Sequence, residues 1–423
     1  MTHGSVDDFA RRARLGELEG LGRQVRRTAG CSNPVRLRGR QDRIARETGE
    51  ILETIITARE PGGVLLVACG DRRAAACPSC ARAYRGDAFH LVAAGLRGGK
   101  GTSEAVAGHP AVIVTLTAPS FGRVHTIRDR DGLCACHRRH APEDPVIGTP
   151  IDPDTYRYTD QVVWNHLAPR LWKRTAQAIR RGLARELGVP RGKLEERARV
   201  RFVKASEFQR RGVVHFHVVI RVDGPGDPAS TPPAVITSRL LERIVVDAVR
   251  STSLRVPSRP GRQAAAIRWG RQLEVARLER GTVSKAAGYI AKYATKATET
   301  ATGGVLIPRV RSHRHVVELD VPDHAKRLVE SAWHLGAIDG LEGACRWAHQ
   351  FGYGGHTLTK SPDYSVTFGV LREARSAWRD GQESTSMPVE KLGRLTFAGR
   401  GYTDPGETLL AALNRSAMAR GDT

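Results

Sequence analysis

Residues 199–223 read RVRFVKASEFQRRGVVHFHVVIRVD, two runs rich in β-branched residues on either side of Arg210-Arg211-Gly212. Such runs favour extended chain. Three connecting residues with glycine in the left-handed position make a β-hairpin loop. That loop sets a register in which Gln209 faces Val213 and Glu207 faces His215. Side chains alternate along a strand, so His215 and His217 share one face and Phe216 takes the other. Cross-strand neighbours lie about 5 Å apart, so Glu207, His215 and His217 converge. Two imidazoles and a carboxylate make a competent divalent-metal site. His313 and His315 repeat the spacing, but beside Arg311 and Arg314 and with no acidic partner.

Outward from the hairpin, residues 111–117 (AVIVTLT) read as a buried strand closed by an Ala-Pro-Ser turn. Residues 156–188 have helical periodicity, with Trp164, Leu167, Leu171 and Trp172 on one side. Helices are expected at about 237–250 and 283–299, and a strand at 315–321 (HVVELDV). Residues 1 to about 60, rich in Arg and Glu, read as helix with loops. The loop GLRGGKGTSE at 95–104 imitates a P-loop, but Lys100 is followed by Gly101 instead of Ser or Thr, so ATP-driven helicase activity is not supported. The expected fold is α+β, an antiparallel sheet with flanking helices. Three segments are expected: an N-terminal basic, zinc-binding module at 1–105, a central domain at 106–302 and a C-terminal DNA-contacting region at 303–423.

Residues 284–299 read SKAAGYIAKYATKATE. On a helix, Lys285, Tyr289, Lys292, Tyr293 and Lys296 fall within an arc of about 100°. Ala287, Ile290, Ala291, Ala294 and Ala297 lie elsewhere and suit close packing. A tyrosine phenol with a pKa near 10 is about 0.1% ionised at neutral pH. Neighbouring lysines favour the phenolate and attract phosphate. Tyr293 or Tyr289 can therefore act as a nucleophile toward a phosphodiester, with Lys292 and Lys296 in support.

The formal net charge of +23, from 67 Lys and Arg against 44 Asp and Glu, calls for a polyanionic partner, and nucleic acid is the default. Only ten of the basic residues are lysines, and three of them fall in the tyrosine segment. No run approaches the roughly 20 apolar residues of a membrane span, and the start has no secretory signal. A reducing cytoplasm is the expected compartment, where clustered cysteines suggest metal. Cys77-Pro-Ser-Cys80 has zinc-knuckle spacing, with Cys69 just upstream and Cys31 as a fourth candidate ligand for structural Zn²⁺. Cys134, Cys136, His137 and His140 form a second candidate zinc group.

VIVTLTAP, EFQRRGVVHFHVVI and GYIAKYATKATE, in that order, resemble the three motifs of rolling-circle replication initiators of the HUH endonuclease superfamily. NPVRLRG, CPSCARAYRGDA, VVWNHLAPRLWKR and GGHTLTKSPDYS extend the resemblance, over about residues 30–380, to actinobacterial RepSA-like plasmid initiators. The resemblance implies that 106–302 is an HUH nicking and joining domain. In it His215 and His217, with Glu207, would hold Mn²⁺ or Mg²⁺, and Tyr293 would be the nucleophile, with Tyr289 a second tyrosine as in two-tyrosine initiators. It implies nicking of a plasmid or integrative-element origin through a 5′-phosphotyrosyl link, with a free 3′-hydroxyl as primer. Double-stranded origin DNA and single-stranded DNA would be its substrates, and a host helicase and polymerase its partners. An HUH transposase or relaxase shares this chemistry, although relaxases carry the tyrosine before the histidines. A non-catalytic, zinc-containing DNA-binding regulator explains the charge and cysteines but not the tyrosine–lysine face.

Overall fold

The computed structural model describes residues 3–127, 133–259, 265–296, 298–379 and 389–420. They form two compact units, Met1–Asp87 with Phe368–Thr423, and Ala88–Thr367. This division differs from the expected three consecutive segments, because the C-terminal chain returns to the first unit's sheet. There the strand Val35–Ala45 pairs antiparallel with Val389–Arg400, Ile51–Ile56 and Leu65–Val67. The expectation of helix and loops for residues 1–60 therefore fails over 35–56, while Leu18–Arg27 is helical. Arg36, Arg38 and Arg40 alternate along the first half of this strand and Gln41, Asp42 and Arg43 follow, so it carries little of the apolar signal that marks a strand. Arg12, buried in this unit, bonds to Asp8 at 3.2 Å, to Glu17 at 3.1 Å and to Asp404.

The second unit is built on a five-stranded sheet ordered Leu358–Lys360, Arg199–Phe208, Val214–Asp223, Ala111–Leu116 and Leu273–Arg277. Every pairing is antiparallel. The histidine strand Val214–Asp223 is central and buried at all its positions. Its even residues, from Val214 through Phe216 to Val222, join the main core with Trp164, Leu167 and Leu171 of the helix Tyr158–Glu186. That helix packs in turn on Ser238–Ser251 and Asp323–Leu335. The odd residues face the tyrosine helix Val283–Tyr293 at one end, and a buried network at the other. In that network Arg221 donates to both Asp223 oxygens at 2.6 and 2.7 Å, and His109 Nδ1 lies 2.8 Å from the same carboxylate.

Two further expectations are corrected. Residues 313–317 are a short helix, not the start of a strand, because Ser312 caps it by accepting from the His315 amide. The tyrosine helix ends at Tyr293 instead of continuing to 299, and the Lys296 amide closes onto the Tyr293 carbonyl at 3.1 Å. Residue 297 lies outside the described residues. Among the described residues, no helix is long and apolar enough to cross a membrane.

Lys204 lies on the core face of the sheet, with Nζ 4.1 Å from the centre of the Phe216 ring and donating to Ser206 Oγ at 3.0 Å. Burial pushes its pKa down to about 7. Between that value and the ordinary lysine value the unfolded chain holds a proton that the fold does not, so stability rises with pH. Relative to Lys204→Met, the wild type is expected to gain stability from pH 7 to 10. The slope should approach about 1.4 kcal/mol per pH unit, measured by urea unfolding. A slope equal to the variant's would mean that the amine stays protonated in the fold.

Candidate active site

The register at the site is the expected one, with Glu207 paired to His215 and Ala205 to His217. The Gln209 amide donates to the Val213 carbonyl at 2.9 Å, and Gly212 takes φ 73° in the loop. The long helix grips this turn. Asn165 accepts from the Val214 amide at 3.0 Å and donates to the carbonyls of Gly212 at 2.9 Å and Phe351 at 3.1 Å, while Gln161 donates to the Arg211 carbonyl at 2.7 Å. The hairpin is thus anchored one residue before His215.

Glu207, His215 and His217 bring one ligand atom each to within 4.8 Å of one another. The Glu207 carboxylate reaches diagonally, with Oε2 3.0 Å from His217 Nε2, and its Oε1 accepts from Lys296 Nζ at 2.7 Å. Burial raises the Glu207 pKa, but bonds to His217 and Lys296 outweigh it and leave the carboxyl below its ordinary value. Thr115 Oγ1 lies 3.3 Å from His217 Nδ1, and Gln209 Nε2 lies 3.1 Å from His215 Nδ1. His215 Nε2 is buried and has no partner among the described residues. Burial, reinforced by His217, pushes the His215 pKa down to about 4, so the ring stays neutral and able to donate a lone pair.

The tyrosines complete the wall. The Tyr293 ring stacks on His217 with centroids 4.1 Å apart, and Tyr289 meets His217 edge-on at 4.9 Å and Tyr293 at 4.7 Å. Both line a cavity of about 270 Å³ together with Glu207, Gln209, His215 and His217. Lys296 Nζ lies 4.8 Å and Lys292 Nζ 5.7 Å from the Tyr293 ring centre, and both Lys285 and Lys292 are exposed. The lysines were expected to favour the phenolate, but the Tyr293 pKa is raised, first by burial and then by Tyr289 and Glu207. Lys296 faces Glu207, so much of its charge is already balanced. Sequence reading missed Thr115 and Glu274, which pair in register on neighbouring strands and line the same cavity, because nothing local indicates which strands will be neighbours.

Two other groups of metal-type side chains lie away from this pocket. Cys31, Cys69, Cys77 and Cys80 bring their sulfurs to within 4.8 Å of one another, as the spacing suggested. Backbone amides of Ser32 and Cys69 point at the sulfurs of Cys77 and Cys31, at 3.4 and 3.3 Å. A hydrogen bond from Cys80 and those from backbone amides pull the Cys31 thiol down to about 5. In the second group Cys134, Cys136 and His140 converge as expected, but His137 does not join them. It is exposed at the turn with φ 66°, and His125 takes the fourth place. His125 lies fifteen residues before His140, outside the compact motif that drew attention to the others.

The strongly basic chain thus carries, on an antiparallel sheet, a pocket lined by histidines, carboxylates and paired tyrosines. The family model described as "Replication initiator protein, pSAM2" matches residues 17–416. A replication initiator protein of Streptomyces ambofaciens is 42% identical over 411 residues, covering 92% of this chain and 88% of that protein. The chain belongs to the RepSA family of replication initiator proteins. No solved structure matches it.

Asn165→Leu keeps the bulk but leaves the Val214 amide and the Gly212 and Phe351 carbonyls without their partner. A loss of about 2–3 kcal/mol is expected, seen as a lower urea midpoint at unchanged slope. A variant as stable as the wild type would show that the hairpin does not depend on this anchor.

Proposed function

We propose that this initiator opens replication by cutting one DNA strand at its origin through tyrosine transesterification, as an enzyme of the HUH type. The observation that carries this reading is the stack of Tyr293 on His217, 4.1 Å between centroids, with Glu207 a further 3.0 Å from His217. A nucleophile and a metal-type donor set share one pocket. Tyr293 Oη bonds to phosphorus and gives up its proton, and the bond from phosphorus to the 3′ oxygen breaks. The product is a 5′-phosphotyrosyl link and a 3′-hydroxyl that primes synthesis. The link retains the energy of the broken bond, so rejoining needs no ATP.

The nitrogens of His215 and His217 and a Glu207 oxygen suit a divalent ion of the Mn²⁺ or Mg²⁺ kind, and the buried His215 Nε2, without a partner among the described residues, supports this fit. Such an ion would polarise the scissile phosphate and stabilise its developing charge. Lys292 attracts the phosphate from the tyrosine side, and Lys296 would join it once an ion takes up the charge of Glu207. Tyr289, the more exposed of the pair, would take part in a second transfer that closes the displaced strand. The excess of arginine supplies phosphate contacts to double- and single-stranded DNA. Cys31, Cys69, Cys77 and Cys80 would hold zinc, which would stiffen the first unit for duplex binding. Extension of the primer by a host polymerase behind a host helicase, in the cytoplasm, completes rolling-circle replication of a plasmid or integrated element.

Single-stranded oligonucleotides tiled across the element's origin, incubated with protein and Mn²⁺ or Mg²⁺, are expected to give an adduct that survives denaturation. Tyr293→Phe should lower its yield at least about a thousandfold, and Tyr289→Phe should leave the first cleavage. His215→Ala with His217→Ala should abolish cutting while salt-sensitive DNA binding persists. An adduct retained in Tyr293→Phe and lost in Tyr289→Phe would reverse the tyrosine assignment. No adduct with any oligonucleotide would leave a non-catalytic DNA-binding protein.

A further inference from the structure

We propose that His125, Cys134, Cys136 and His140 bind a structural zinc ion that locks the excursion at 118–157 against the turn of the histidine hairpin. The four ligand atoms lie within 4.8 Å of one another. His125 Nδ1 is 3.2 Å from His140 Nε2, Cys136 Sγ is 3.2 Å from His140 Nε2, and Cys134 Sγ is 3.8 Å from His125 Nδ1. Zn–N bonds near 2.0–2.1 Å and Zn–S bonds near 2.3 Å in a tetrahedron put ligand atoms about 3.3–3.8 Å apart. These three separations are close to those that a zinc ion would impose, and the remaining pairs lie within 4.8 Å.

The surroundings are those of a metal ligand set. His140 presents Nδ1 to Asp144 Oδ2 at 2.7 Å. A carboxylate on the far nitrogen fixes the tautomer and turns the Nε2 lone pair toward the other three groups. The Thr126 amide donates to Cys134 Sγ at 3.4 Å, a contact that suits a metal-bound thiolate. The tight turn from Cys134 to Arg138, closed by amide–carbonyl bonds of 2.8 and 2.9 Å, folds Cys136 and His140 back toward His125. Two thiolates and two imidazoles are a donor set that selects zinc over the hard ions suited to the Glu207 pocket.

Among its described residues, the excursion contributes Ala118, Phe121 and Tyr156 to the main core from its two ends and little from the stretch between them. Its two legs meet through reciprocal bonds between His125 and residues 148–149 and from Ile151 to Arg123. Gly148, at φ 90°, lies against the hairpin loop so closely that an added Cβ would be 2.6 Å from Arg210 Cβ. From the other leg, the Pro119 carbonyl accepts from Arg211 at 3.3 Å, Arg211 donates to Gln209 at 3.0 Å, and Gln209 contacts His215 at 3.1 Å. A cross-link between residues 125 and 140 therefore steadies a chain of contacts that ends on His215.

Metal content decides the matter without reference to the cutting reaction. Full-length protein, purified without chelator, is assayed for zinc by mass spectrometry and for cobalt uptake by visible spectroscopy. His125→Ala and Cys134→Ser are each expected to lose one equivalent of zinc relative to the wild type, and His137→Ala none. Cys77→Ser with Cys80→Ser should retain an equivalent whose cobalt form has the spectrum of a mixed sulfur–nitrogen site. Asp144→Asn keeps all four ligands and should weaken zinc about 10–100-fold in chelator competition, which serves where a ligand variant fails to fold. The proposal is overturned if all zinc is lost with Cys77 and Cys80. It is equally overturned if His137→Ala loses the equivalent that His125→Ala keeps, or if Asp144→Asn binds zinc as tightly as the wild type.

Discussion

The pairing of Glu207 with His215 across the central hairpin is the constraint on which the second unit depends. The histidine strand is buried on both faces, so its register cannot slip by one residue without exchanging the two. Such a slip would drive His215 and His217 into the core beside Trp164 and expel Phe216. The turn enforces the register through the left-handed Gly212 and the three bonds of Asn165. The core face holds the fold together, and the opposite face can then carry polar groups at fixed separations.

That polar face has two ends, and they differ in a way that separates structure from site. At one end Arg221, Asp223 and His109 form a buried network, with Arg201 ion-paired to Asp223 from the neighbouring strand. Arg221 also reaches the Tyr364 carbonyl at 3.2 Å. At the other end His215 Nε2 is buried with no partner among the described residues, beside a cavity. An unsatisfied buried nitrogen costs about 1–3 kcal/mol. The same strand tolerates that cost at one end only, which is the end that faces the tyrosines.

Much of this was legible because it is local. The hairpin, its loop and the convergence of Glu207 with both histidines follow from alternation and one glycine, and the two tyrosines follow from helical spacing. What escaped was set by distant chain. Val35–Ala45 is a strand with arginine at alternate positions in its first half, and its partner Val389–Arg400 lies more than three hundred residues away. His125 was hidden for a related reason. Its partners form a compact motif, and the histidine nearest to them in sequence, His137, is turned out by a backbone conformation that no spacing rule reveals. The end of the helix at Tyr293 was equally hidden, since the run of alanines and lysines beyond it favours continuation.

That helix end bears on the chemistry. Lys296 follows the last turn, and from there its ammonium reaches Glu207 Oε1 while Oε2 faces His217. The carboxylate and ammonium cancel, and burial keeps His215 neutral. Glu207, Lys296 and His215 together thus carry no net charge with which to draw in a phosphodiester. Tyr293 is also held in its protonated form by burial, by Tyr289 and by Glu207. A divalent cation against the two imidazoles and Oε2 would change both conditions. It would give the pocket a net positive charge and oppose the influence of Glu207 on the phenol. On the proposed reading, the ion would supply the positive charge that the Lys296–Glu207 pair does not.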